Sequence, residues 1–125
     1  MSNLHEECGI FGIFSENRQN VAETVYYGLF ALQHRGQESC GIVVNDDGIF
    51  RDYKDNGLAH EVFTRHVLEN LGPGNMAIGH DRYSTTGANE RINAQPIVVN
   101  HHKGRMALAH NGNIVNAFEL RQELE

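Results

Sequence analysis

Cysteine is scarce in this chain: of 125 residues only Cys8 and Cys40 carry a thiol, so at most one bridge can form. Long apolar runs are missing too. No stretch approaches the ~20 residues that span a bilayer, and Met1–Glu7 is polar and acidic, without the apolar core of a secretory leader. Both thiols are therefore expected to be free, in a reducing cytoplasm. Positive charge is short: 10 Lys and Arg stand against 16 Asp and Glu, a net charge of −6 with His neutral. A surface that neutralises phosphates in a row needs clustered Lys and Arg, so a nucleic-acid partner is not expected. Glycine-rich phosphate loops of the P-loop or dinucleotide type are absent. Among eight histidines no metal spacing recurs. His60-Glu61 opens like H-E-x-x-H, but Thr64 stands where the second His belongs. His101 and His102 are adjacent, and in a strand would face opposite ways. Metal ligands are therefore expected to be none.

What remains is an ordinary globular composition, 40% hydrophobic and 21% charged. The length suits one small domain or part of a larger one. Cys8–Phe14 alternates apolar residues with glycine and reads as a buried strand. Asn20 and Glu23 form a capping-box pattern, and Val21, Val25, Leu29 and Leu32 follow at helical spacing, predicting a helix to about His34. Cys40–Asn45, the turn Asp46-Asp47-Gly48 and Ile49–Lys54 predict a hairpin. Leu58–Leu71 reads as one helix with Leu58, Val62, Phe63 and Val67 on a face, broken by Gly72-Pro73-Gly74. Met76–Arg82, Ile97–Asn100 and Met106–His110 read as strands. Asn116 and Glu119 cap a last helix that runs to Glu125, which suggests a piece of something longer. Hairpin order without strict alternation favours α+β with an antiparallel sheet.

Four polar, glycine-containing segments fall at the expected strand ends, where sites are usually built. The first is Cys8-Gly9. A short trim would make Cys8 the first residue, with a nucleophilic thiol and a base, its own α-amine, on one residue. Those groups have reference pKa values of about 8.5 and 7.7–8.0. The bland alternative is a small buried hydrophobe. The second is Gln33-His34-Arg35-Gly36-Gln37-Glu38-Ser39, which by itself reads as a helix C-cap. The third is Gly79-His80-Asp81-Arg82-Tyr83-Ser84-Thr85-Thr86-Gly87. Its arginine fork and hydroxyls suit a carboxylate, or else a surface salt bridge. The fourth is His110-Asn111-Gly112-Asn113, a turn signal by itself, or an oxyanion hole made of a side-chain and a backbone N–H.

Taken in order, the four segments resemble the N-terminal-nucleophile, or class II, glutamine amidotransferases, over nearly all of Cys8–Glu125. Their versions of the second and third segments are most similar to the branch that uses phosphoribosyl pyrophosphate as acceptor. The resemblance implies an α+β fold, a four-layer αββα sandwich with antiparallel sheets, only partly covered here. It implies that Met1–Glu7 is a propeptide and that residues 8–125 are the N-terminal part of the amidotransferase domain. Cys8 would attack the glutamine side-chain amide, with its freed amine as base. Asn111 and Gly112 would hold the oxyanion. Arg82 would bind the glutamine α-carboxylate with Thr85 nearby, Arg35 and Gly36 would wall the nucleophile, and Tyr83 would lie near the passage to the acceptor domain.

In that branch the released ammonia goes to phosphoribosyl pyrophosphate on a separate C-terminal domain. The product, 5-phosphoribosylamine, is the first intermediate of de novo purine biosynthesis. The resemblance implies no cofactor within this chain, and Mg2+ and in some members a [4Fe-4S] cluster in the full-length enzyme. Partners would be L-glutamine and phosphoribosyl pyrophosphate, with no nucleic acid and no membrane, in a cytoplasmic homo-oligomer. The family's aspartate for the glutamine α-amine falls beyond Glu125, so these residues by themselves are expected to be inactive. Two other readings stay open on the residues: a sibling amidotransferase, of the glucosamine-6-phosphate synthase type, or a non-catalytic glutamine-binding module.

Overall fold

The structure, a computed structural model, describes residues 8–32, 37–83, 94–101 and 104–109. Four strands form one antiparallel sheet: β1 (Cys8–Gln19), β2 (Gln37–Asp46), β3 (Ile49–Asn56) and β4 (Gly74–Tyr83), in the order β1-β4-β2-β3. Helix α1 (Val21–Leu32) covers one face, with the short helices α2 (Ala59–Val62) and α3 (Arg65–Leu71) beside it. Strands β5 (Ile97–His101) and β6 (Gly104–Leu108) pair as a separate hairpin. The α+β class with antiparallel sheets is thus the observed one.

The face of α1 expected from its spacing is the buried one: Val21, Val25 and Leu29 have no exposed surface. Removing such side chains from water contributes about 1.5–3 kcal/mol each. They pack on Ile42, Val44 and Ala77 of the sheet. The helix lies close because β4 offers Gly79 beneath it. A Cβ at that position would stand 2.5 Å from Val25 Cγ1 and 2.8 Å from Leu29 Cδ1. Asn20 precedes the helix, but its side chain donates to the Glu23 carboxylate at 3.0 Å, so the two polar groups bond each other.

Three expectations change. The first strand is not buried throughout: its open face exposes Ile10 and Phe14 at 42% and 69%. The helix expected over Leu58–Leu71 is two helices, because Thr64 interrupts it. Its backbone is extended and its hydroxyl accepts from Val67 N–H at 3.3 Å, capping α3. The break also lets Phe63 turn into the core, where it is 3% exposed. The strand expected over Met106–His110 runs Gly104–Leu108, set by its pairing with β5. The predicted hairpin stands, with Asp47 and Gly48 at positive φ in its turn. The termini, including the expected propeptide and the last helix, lie outside the described residues.

The two ends of β1 are held differently. Its ladder with β4 runs unbroken from Cys8 to Phe14 and then shifts register before Gln19. Within that irregularity, Arg18 donates to both oxygens of Asp46 at 2.9 Å, and Arg51 adds contacts at 3.2 and 3.3 Å. The Arg18 hydrogen bonds, followed by those of Arg51, hold the Asp46 carboxyl at about 2, below its ordinary 3.8. A depressed carboxyl stabilises the fold above its unfolded pKa, and that gain is lost as pH falls through the folded one. In acid melts between pH 5 and about pH 2, Asp46→Asn should therefore lose part of the wild-type decline in Tm. An equal decline in both proteins would show the cluster to be inert.

Candidate functional site

Antiparallel pairing brings three of the four segments to one end of the sheet. Cys8 opens β1 directly opposite Arg82 of β4, and Arg82 stands opposite Ser39 of β2. One rung therefore carries the expected nucleophile and the expected carboxylate fork. The next rung is Gly9, Asp81 and Cys40, and the third is Ile10, His80 and Gly41. Tyr83 lies beyond, opposite Gln37. Side chains alternate along a strand, so Arg82, His80 and Ser39 share one face, while Asp81 and Cys40 share the face that α1 covers.

The face that carries Arg82 is partly roofed. Residues Ala94, Gln95 and Pro96 are buried, and Lys54 Nζ donates to the Pro96 carbonyl at 3.3 Å. Gly41 permits this, since a Cβ there would run into the Gln95 carbonyl and stand 2.8 Å from Lys54 Cβ. Beneath the roof His80 is fully buried and Ser39 is 2% exposed, with Arg82 half-buried at the strand end. Farther along the same face Ile10, Phe14 and Met76 are exposed at 42%, 69% and 43%.

On the α1 face, Cys40 is buried, and its Sγ donates to the Gly57 carbonyl at 3.7 Å. Asp81 beside it has no exposed surface, and burial pushes its carboxyl from 3.8 up to about 7. Burial therefore favours its un-ionised form.

Of the residues singled out in the sequence, the structure places Cys8, Arg82 and Tyr83 together. Arg35, Gly36, Thr85, Asn111 and Gly112 lie outside the described residues. The sequence alone assigns no role to Ser39, His80 or Asp81, although they lie inside the segments. Their signal was a polar residue within a strand-forming run. Among the described residues no three His, Cys, Asp or Glu side chains stand together to hold a metal ion.

This arrangement, an edge-strand cysteine paired with a central-strand arginine, lies in a fold matched by solved enzymes, a glutamine amidotransferase among them. A solved allosteric regulatory enzyme of purine biosynthesis superposes with a TM-score of 0.80 at 44% identity, over 92% of this chain and 24% of that one. The glutamine phosphoribosylpyrophosphate amidotransferase of Bacillus subtilis, complexed with ADP and GMP, gives 0.76 at 43% identity. No family model matches the chain. Among curated proteins, the amidophosphoribosyltransferase of Methanocaldococcus jannaschii is 55% identical over 94% of this chain. The human enzyme of that name is 44% identical over 97%. The chain is a homologue of the amidophosphoribosyltransferases, and it spans about a quarter of the length of those relatives.

Proposed function

We propose that this chain supplies the glutamine-hydrolysing site of an amidophosphoribosyltransferase. The observation that carries the reading is the shared rung of Cys8 and Arg82. Facing residues of an antiparallel pair have Cα atoms about 4.5–5.5 Å apart. A glutamine whose α-carboxylate is held by Arg82 therefore lies within reach of the first residue of β1.

The chemistry follows from the residues. Cutting the Glu7–Cys8 bond frees the Cys8 amine, which takes the thiol proton. The thiolate attacks the side-chain amide carbon, and the carbonyl oxygen becomes an oxyanion for Asn111 and Gly112. The proton returns to the leaving nitrogen, ammonia departs, and water hydrolyses the γ-glutamyl thioester to glutamate. Arg35 and Gly36 wall the site, Thr85 assists Arg82, and Tyr83 lies toward the acceptor domain. The ammonia passes to phosphoribosyl pyrophosphate bound by a part of the protein outside this chain. Any Mg2+ or [4Fe-4S] cluster would also be bound there. The exposed apolar face bearing Ile10, Phe14 and Met76 suits burial by the second sheet of an αββα sandwich. We assign the protein to the cytoplasm as a homo-oligomer. No helix among the described residues is long and apolar enough to cross a membrane.

The test is Arg82→Lys in the full-length protein. Lysine keeps the charge but loses the planar fork. Steady-state kinetics should show KM for glutamine raised about 10–100-fold, since a charged hydrogen bond contributes about 1.5–3 kcal/mol. The ammonia-dependent reaction should be untouched. A wild-type glutamine KM would remove Arg82 from the site.

A further inference from the structure

We propose that Asp81 is a positioning residue of the nucleophile end of the sheet, holding the start of β1 and the last turn of α1 together as an un-ionised carboxylic acid. This rests on the reading of Cys8 given above.

Asp81 is fully buried, and neither carboxylate oxygen has a hydrogen-bond partner among the described residues. A bare carboxylate in such a place is far costlier than the neutral acid. Among the described residues, its rung partners and the end of α1 offer no positive charge to hold a negative one. On β1 its rung partner is Gly9, which has no side chain. On β2 it is Cys40, whose Sγ donates to the Gly57 carbonyl. On β3, opposite Cys40, stands a second acid, Asp55. The last turn of α1 contains no basic residue and presents the negative end of the helix dipole. On β4 itself, His80 and Arg82 alternate to the other face. The upward displacement of the carboxyl to about 7 agrees with this inventory.

The same place joins two elements. A Cβ on Gly9 would lie 3.2 Å from Leu32 Cβ, so the end of α1 rests directly on the residue that follows Cys8. Asp81 fills the rung beside that contact. With its proton on, it packs as a small neutral side chain. With the proton lost, the charge must be solvated, and loosening the Leu32–Gly9 contact beside it would give water a route. The backbone of Gly9 is bonded to Cys8, so the nucleophile's position follows the protonation of Asp81.

The test compares Asp81→Asn with wild type in the full-length protein, because asparagine is neutral at every pH. Hydrogen-exchange protection at Gly9 and at the end of α1 should fall above pH ~7 in wild type and not in the variant. The ratio of variant to wild-type kcat/KM for glutamine should rise with pH, approaching about tenfold per unit above the midpoint. A ratio that is flat from about pH 6 to 9 would overturn the proposal. So would protection lower in the variant at all pH, the mark of an ion pair with His34 or Arg35. Carbon-13 titration of the Asp81 carboxyl in the wild type needs no variant to fold, and a midpoint below about 5 also overturns it. The expected protection pattern in a protein that hydrolyses no glutamine supports the strand-end role and counts only against the amidotransferase reading.

Discussion

Cys8→Ala in the full-length protein should lower glutamine hydrolysis by about 10⁴-fold or more, the scale of loss when a covalent nucleophile is removed. The pathway through a thioester is closed, and alanine's free amine has no thiol to activate. Binding should survive, because Arg82 stands on β4 and keeps its neighbour Ser39 on β2. Calorimetry with glutamine should give a Kd within a few-fold of wild type, which separates lost chemistry from a lost fold. A second arm concerns maturation. A Cys8 still joined to Glu7 has an amide nitrogen, which accepts no proton, so the precursor should be as inactive as the alanine variant. Mass spectrometry of the active protein should find Cys8 at its N-terminus. Full activity with Met1–Glu7 attached would refute the proposed base.

The second large effect is on stability, again at Asp81. Its folded carboxyl lies at about 7 against 3.8 in the open chain, so the native state binds the extra proton between those values. Stability linked to this group is present below about pH 4 and declines as pH rises through 7. The full displacement, about three units at 1.36 kcal/mol each, corresponds to about 4 kcal/mol. An asparagine forgoes that penalty but still buries an amide, at about 1–3 kcal/mol. Asp81→Asn should thus raise Tm at pH 8, by the equivalent of about 1–3 kcal/mol, and by much less at pH 4.5. A gain that is equal at both values, or a loss at pH 8, would show that the carboxyl has a cationic partner.

The fold was legible where one local signal decided it. Helical spacing of Val21, Val25 and Leu29 marked the buried face of α1, and Asp46-Asp47-Gly48 marked the hairpin turn. It was not legible where two signals competed. Thr64 sits in a stretch with helical periodicity on both sides, yet its hydroxyl serves better as a cap than as a helix interior. Strand bounds also followed pairing rather than composition, as in β6, whose register with β5 fixes Gly104–Leu108. The site was legible as residue types in order: a cysteine near a chain start, an arginine in a strand-forming run. Their alignment on one rung was not, because it depends on β4 lying between β1 and β2, a long-range arrangement no local pattern encodes. Asp81 was hidden for another reason: its burial depends on which face of β4 it takes, and only the packing of α1 on that face sets it.

The uneven ladder of β1 has a consequence for how such a chain can vary. Between Cys8 and Phe14 every residue has its fixed partner on β4. One residue added or deleted there would turn the strand over, exchanging the core-facing and open-facing sets and carrying Cys8 off the Arg82 rung. Between Phe14 and Gln19 the pairing already slips. Length changes in that stretch would be absorbed as a larger or smaller bulge, with the chemistry at the far end undisturbed. Homologues should therefore differ in length after Phe14 and keep a constant count before it.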